Sequence, residues 1–403
     1  MYGIKWTENI MPKGEDEELE IMAPANVRAA RAFHESFPQY AETPLAGLDR
    51  LAEFLGVAKL CVKDESYRFG LNAFKVLGGS FAMARYISKL TGRPLEELSY
   101  AALTSRGLKE QTGEITFFSA TDGNHGRGVA WAARVLGQKA VIMMPKGSQA
   151  ARFENIRAEG ALTTIAELNY DDCVRKAAKA AAETPGGVLI QDTAWEGYEE
   201  IPSWIMQGYG TMAMEADEQF AAAADAAPTH VFVQAGVGSL AGAVVGYFAN
   251  KYPDNPPVFA VVESDQADCL YRSACAGDGS IRTVGGDMRT IMAGLACGEP
   301  SITSWQILKD KVTAFASLPD RVAADGMRVL GAPLPGDPRV ISGESGAAPL
   351  GFLYALMRDE ELAPLREKLK LGKDSRVLLF STEGATDPEN YRKVVWEGAC
   401  GSR

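Results

Sequence analysis

Ser119-Ala120-Thr121-Asp122-Gly123-Asn124-His125-Gly126-Arg127-Gly128 closes the apolar run EITFFSA (Glu114–Ala120) and leads into the Ala-rich stretch GVAWAARVLG (Gly128–Gly137). An aromatic and β-branched run, a polar loop with glycines, then apolar residues at helical spacing read as strand, loop and helix. The unit recurs along the chain. Further strand candidates are AKLCVKDE from Ala58, KAVIMMP from Lys139, ALTTIAE from Ala161, VLIQD from Val188, HVFVQAG from His230, VFAVVES from Val258 and RVLLFST from Arg376. Helical stretches such as DDCVRKAAKAAAE (Asp171–Glu183) separate them. Strands that are apolar almost throughout, alternating with helices, predict an α/β fold whose parallel sheets are buried on both faces.

The rest of the chain bounds the function. Its 403 residues, 46% hydrophobic and 23% charged, suit a globular protein with a sizeable core. No apolar run approaches the roughly 20 residues of a membrane span. The opening MYGIKWTENIMPKGEDEELE lacks the apolar core and cleavage site of a secretory signal. A net charge of −11 argues against nucleic acid or an anionic membrane as partner. Cys61, Cys173, Cys269, Cys275, Cys297 and Cys400 form no CxxC, and His34, His125 and His230 lie far apart, so no metal site is expected. Reduced thiols in the cytoplasm are the expectation, with pairing of Cys269 and Cys297 left open.

Parallel sheets of this kind bind ligands beyond the carboxyl ends of their strands. Three such loops are unusual. The 119–128 loop holds Thr121, Asp122, Asn124 and His125 among three glycines, more than a turn or a cap requires. Its backbone amides and Thr121 could hold a substrate carboxylate, and Asn124 a ring oxygen; His125 by itself reads as a packed histidine at a helix start rather than a base. Gly236-Val237-Gly238-Ser239-Leu240-Ala241-Gly242 follows the strand HVFVQ and opens an apolar helix, a setting suited to a phosphate. Its GxGxxxG spacing departs from the GxGxxG of dinucleotide sites, with Glu263 the one candidate for a ribose-binding acid. Lys75, in Asn72-Ala73-Phe74-Lys75, precedes Val76-Leu77-Gly78-Gly79. Alone it reads as a surface lysine. Beside a phosphate cradle and a carboxylate loop it reads as a desolvated amine of lowered pKa, a nucleophile toward aldehydes.

These three loops, in this order, resemble the fold-type II pyridoxal-phosphate enzymes, which include serine and threonine dehydratases, serine racemase and cysteine synthase. The lysine context is Ala-Phe-Lys here, where Ser-Phe-Lys is usual. KDESYRFGLNAFK (63–75), TDGNHGRGVAWAA (121–133), QDTAWEGY (191–198), IMAGLACGEP (291–300), ISGESGA (341–347) and STEG (381–384) are similar to the diaminopropionate ammonia-lyase branch. The resemblance runs from Phe37 to Gly398.

It implies two open, twisted, mostly parallel sheets flanked by helices. Residues 1–80 and 193–403 would form a large cofactor-binding domain, and 81–192 a smaller inserted one. Pyridoxal 5′-phosphate would be held by Lys75 as a Schiff base and by a phosphate loop of Gly236, Val237, Gly238, Ser239 and Leu240. Asn124 would face the ring's 3′-oxygen, and Ser381 or Thr382 its pyridine nitrogen. Thr121, Asp122, Gly123, Asn124 and His125 would bind substrate, with Tyr170 covering the pocket. Glu344 would form a wall and carry no chemical step. A homodimer acting on a small amino acid is implied.

Asp122 stands where relatives carry Ser or Ala. A carboxylate there could serve as a second base for the Cα proton, opposite Lys75, or attract a β-ammonium. Asp192 is the second carboxylate placed at the substrate, with a helix N-cap as its plain alternative. The activity implied is elimination of ammonia from D- and L-2,3-diaminopropionate, giving pyruvate and two ammonia. The alternatives are a serine or threonine dehydratase, or a lyase of another β-substituted alanine. A nicotinamide oxidoreductase or a non-catalytic amino-acid binder would leave Lys75 and the TDGNHG loop unexplained.

Overall fold

From the N-terminal end, the strands are β1 (Lys5–Glu8), β2 (Leu45–Gly47), β3 (Lys59–Asp64), β4 (Thr116–Ala120), β5 (Lys139–Met144), β6 (Leu162–Ile165) and β7 (Gly187–Leu189). They continue with β8 (His230–Gln234), β9 (Val258–Ser264), β10 (Ala314–Leu318) and β11 (Arg376–Ser381). The computed structural model describes residues 2–12, 14 and 16–401. A seven-stranded sheet has the order β1-β10-β9-β8-β11-β3-β2, and a four-stranded sheet β6-β5-β4-β7. Every pairing is parallel except at the two edges of the larger sheet, where β1 runs antiparallel to β10 and β2 to β3. The α/β class with mostly parallel sheets is therefore as the sequence implied.

Alternate side chains of the large sheet enter different cores. Val231, Val233, Phe259, Val261, Leu378 and Phe380 pack on one face. Phe232, Ala260, Val262, Val377 and Leu379 pack on the other. Burial on both faces is why these strands carry no polar alternation. Strands β1, β2 and β10 were not anticipated. The first two are short edge strands, and β10 (AFASL) has two alanines and a serine in place of a β-branched run.

Three features carry Lys75 to its place. Lys63, Glu65, Arg68 and Glu215 form a fully buried, charge-balanced group. Within it Arg68 contacts Glu65 at 2.8 Å and Glu215 at 2.7 Å, and Lys63 contacts Glu215 at 2.7 Å. Removing one member of such a set typically costs about 3–5 kcal/mol, so the chain leaving β3 is firmly anchored. Ala73 then bridges to Glu383, and the Phe74 amide donates to the Thr382 carbonyl at 3.1 Å. Finally, helix Val76–Thr91 crosses helix Asn124–Val135 at Gly128, where a Cβ would lie 2.8 Å from the Val76 backbone. Helix Val76–Thr91 runs unbroken through Phe81, so a helix links the two sheets.

Candidate active site

The loops after β4, β8 and β11, with the start of helix Val76–Thr91, converge on one cavity. Of the residues singled out from sequence, Lys75, Asp122, Asn124, His125, Tyr170, Asp192, Gly236, Val237, Gly238, Ser239, Leu240 and Thr382 line it.

Lys75 and Asp192 form its charged centre. Lys75 Nζ lies 2.5 Å from Asp192 Oδ2, and the Tyr209 hydroxyl donates to the same oxygen at 3.4 Å. Burial disfavours the charge on Lys75, but the adjacent Asp192 carboxylate outweighs it and holds the ammonium above its ordinary pKa. The expected lowered pKa is thereby corrected: desolvation is present, and an ion pair reverses its effect. Burial likewise opposes the charge on Asp192, yet Lys75 brings its carboxyl down to about 2. Asp192 caps no helix, because the next one begins at Glu200. The proton therefore rests on Lys75, which becomes a nucleophile only once that proton is lost.

His125 Nε2 donates to the Ile190 carbonyl at 2.9 Å, so its Nδ1 carries the lone pair. Burial lowers its pKa and keeps the ring neutral. Asp122 meets Arg152 Nη1 at 3.1 Å. Its carboxyl is pushed above the ordinary value by burial, with Arg152 and Lys75 pulling the other way. A raised carboxylate pKa makes a stronger base. Asn124 donates its side-chain amide to Glu383. The Tyr170 hydroxyl accepts from Gln191 Nε2 at 2.6 Å.

Three residues singled out from sequence lie away from the cavity wall. Thr121 is fully buried, and its Oγ1 accepts from the Gly123 and Gly126 amides at 2.9 and 3.0 Å, so it pins the loop rather than facing the cavity. Gly123 packs against Arg152 and is not part of the cavity wall. Ser381 donates to Ser342 Oγ at 2.8 Å, on the face of β11 opposite its neighbour Thr382. Thr382 lines the cavity and accepts from Gln234 Nε2 at 2.7 Å.

Phe74, Gln234, Gly294, Leu295, Cys297, Ser345 and Glu383 also line the cavity and were missed. The segments IMAGLACGEP, ISGESGA and STEG held five of these, without a side-chain pattern to mark them. Cys269 and Cys297 are free thiols, Cys269 Sγ lying 3.7 Å from the Cys297 carbonyl. Glu344 contacts Arg152 and Asn390, behind the wall.

The wall suits a phosphorylated, polar-edged ring. Helix Ser239–Lys251 starts at the cavity with Gly238 at φ +100°, and first-turn amides lack intrahelical acceptors. His125 Nδ1, Asp192 Oδ1, Gln234 Oε1 and Ser345 Oγ are buried without hydrogen-bond partners. Buried polar atoms left open in this way are satisfied by a bound group. Among the described residues, no cluster of His, Cys, Asp and Glu has the makings of a metal site.

Comparison with known proteins agrees with this geometry. Residues 37–382 match the family described as pyridoxal-phosphate dependent enzyme. The diaminopropionate ammonia-lyase of Salmonella typhimurium is 54% identical over 368 residues, covering 91% of each chain. A crystal structure of the Escherichia coli diaminopropionate ammonia-lyase, in complex with an aminoacrylate-PLP azomethine reaction intermediate, is similar with a TM-score of 0.91 and 47% identity. It covers 100% of this chain and 99% of that one. The same Escherichia coli enzyme in complex with D-serine gives a TM-score of 0.91 at 48% identity, over 99% and 98% of the two chains.

Proposed function

The chain belongs to the pyridoxal-phosphate dependent enzyme family, among its diaminopropionate ammonia-lyases, and on that premise we propose that it acts on both isomers of 2,3-diaminopropionate, with Lys75, Asp122 and Asp192 handling the protons. Pyruvate and two ammonia are the products. The observation that carries the reading is the meeting of Lys75 and Asp122, two proton-accepting groups from separate elements, on one cavity.

Lys75 would hold the cofactor's aldehyde carbon, the 236–240 loop its phosphate, Asn124 the ring oxygen and Thr382 the ring nitrogen. Once bound, the cofactor supplies an electron-withdrawing ring that accommodates the charge left on Cα when its proton is removed. Asp192 pairs with the Lys75 ammonium, holds it at the reacting centre, and pairs with it again whenever the amine regains a proton. For the L-isomer Lys75 removes the Cα proton, and for the D-isomer Asp122 does so from the other side. The match to an Escherichia coli enzyme captured with D-serine supports access for a D-configured ligand. The β-amine departs only as ammonia, so it must first gain a proton. Lys75, kept charged by Asp192, is suited to supply it. His125 Nδ1 accepts a hydrogen bond from the substrate's amino groups, and Tyr170 closes the pocket over them.

We further assign residues 81–192 to a smaller inserted domain and the remainder to the cofactor domain, in a homodimer. Free thiols support a cytoplasmic setting. The test of the whole reading is product stoichiometry. Each isomer, given separately to the purified enzyme, should yield one pyruvate per two ammonia, with L-serine and L-threonine turned over more slowly. Faster turnover of L-threonine would make the protein a dehydratase, and inertness of the D-isomer would end the claim of dual use.

Gly238→Val tests the phosphate loop. A valine at φ +100° is strained, and its Cβ would lie 2.8 Å from Ser304 Oγ, so the loop must move. The variant should lose cofactor on dialysis while its unfolding midpoint falls by only a few degrees. Full cofactor retention would place the phosphate elsewhere.

A further inference from the structure

Arg152, on helix Ala150–Ala158, carries no part of the reaction described so far, yet it is only 4% exposed. Its Nη1 donates to Asp122 Oδ2 at 3.1 Å, its Nη2 lies 3.9 Å from Glu344 Oε2, and its Nε is buried without a hydrogen-bond partner. Its stem is fitted as closely as its head. Gly123, directly after Asp122, has φ +155°, and a Cβ there would lie 2.9 Å from Arg152 Cδ and 3.3 Å from Cβ and Cγ. The loop therefore rests on the arginine stem while the guanidinium grips the preceding carboxylate.

We propose that Arg152 is a positioning residue that aims the Asp122 carboxylate into the cavity and keeps it ionised for removal of the D-isomer's Cα proton. The proposal rests on the assignment of Asp122 as a base, and deepens it. The charges around Asp122 favour the idea. Arg152 faces it from its own helix, Lys75 from the start of helix Val76–Thr91, and Glu383 from the end of β11. His125, Tyr170 and Cys297 also feel its charge. Lys75 is matched by Asp192 at 2.5 Å. Arg152 is then the cation left to Asp122. Glu344, Glu383 and Asp387 compete for it, each acting on Arg152. Burial pushes the Glu344 carboxyl up to about 7, with Glu383 adding to the rise and Arg152 opposing it.

The test uses holoenzyme carrying Arg152→Met, which keeps the stem and removes the charge, and Arg152→Gln. Two quantities are read: the pH profile of kcat/KM with each isomer, and the ¹³C titration of the Asp122 carboxyl, assigned with Asp122→Asn. An opposite charge at this range holds a carboxyl down by about one to three pH units. The Asp122 midpoint and the acid limb for the D-isomer should therefore both rise by that amount. The L-isomer limb should move less, and Arg152→Lys should restore most of the shift. An unmoved Asp122 midpoint in the neutral variants overturns the proposal. A midpoint that moves without the D-isomer limb keeps the Arg152–Asp122 coupling and removes Asp122 as a base. Glu344→Gln covers the case of misfolded Arg152 variants. It frees Arg152 from a competing carboxylate, so the Asp122 midpoint should fall, and a midpoint that stays or rises counts against the coupling.

Discussion

Lys75→Ala is expected to abolish turnover of both isomers and to end covalent retention of the cofactor, with the fold intact. Lys75 serves as attachment point, as base for the L-isomer and as proton donor to the departing amine. Loss of general acid–base transfer alone costs about 10²–10⁴-fold, roughly 3–5 kcal/mol of barrier, and loss of the attachment adds to it. Alanine also leaves Asp192 without the cation that now brings its carboxyl down to about 2. Burial would then dominate and raise it. Because the buried Lys63–Glu65–Arg68–Glu215 group anchors the preceding segment independently, far-UV circular dichroism should be unchanged. Borohydride reduction followed by mass spectrometry reads the attachment: the native chain should gain the cofactor's mass and the variant should not. A variant that still gained it would move the attachment to another lysine.

Asp122→Asn should separate the isomers. Held by the same carboxylate and amine, they point the Cα proton in opposite directions, so one base cannot serve both. Asparagine keeps the size and the hydrogen bond to Arg152 but cannot accept the proton. A loss of about 10²–10⁴-fold in kcat/KM is expected with the D-isomer, and a clearly smaller one with the L-isomer. Equal losses would show that Asp122 holds the β-ammonium common to both. An unaffected enzyme would put Asp122 outside the chemistry altogether.

Much of this site could be read from the chain because its parts are contiguous. The TDGNHG and GVGSLAG loops each follow a strand whose apolar run is unmistakable, and the lysine sits in a distinctive phrase. What escaped notice depends on register or on distant chain. Ser381 and Thr382 are adjacent in sequence, and only the pleat of β11 decides that the second faces the cavity. Thr121 looked like a ligand because its role, satisfying two amides of its own loop, leaves the same polar signature. Lys75 was read as a lone desolvated amine because its partner Asp192 comes from the chain after β7. Arg152 lies in a helix with no motif, and its partnership with Asp122 exists only in the folded chain. Strand β10 hid behind small residues that a crowded sheet requires.

The edges of the seven-stranded sheet have a consequence for how the molecule is made. Its outermost strand, β1, pairs Lys5 with Ser317, and β3 pairs Lys59 with Arg376. During synthesis these early strands emerge long before their neighbours exist, whereas β4 to β7 find all their partners within residues 116–189. Local pairings form sooner than distant ones, because closing a long loop costs entropy before any contact repays it. The small sheet is therefore complete while the large one still waits for β11. Until then β3 offers open backbone to any passing strand, the state in which a nascent chain is most prone to stick to its neighbours. β11, the last strand among the described residues, ends at Ser381, beside Thr382. The same event that seals the sheet finishes the cavity, so a chain competent to take up its cofactor is one that has already escaped that hazard.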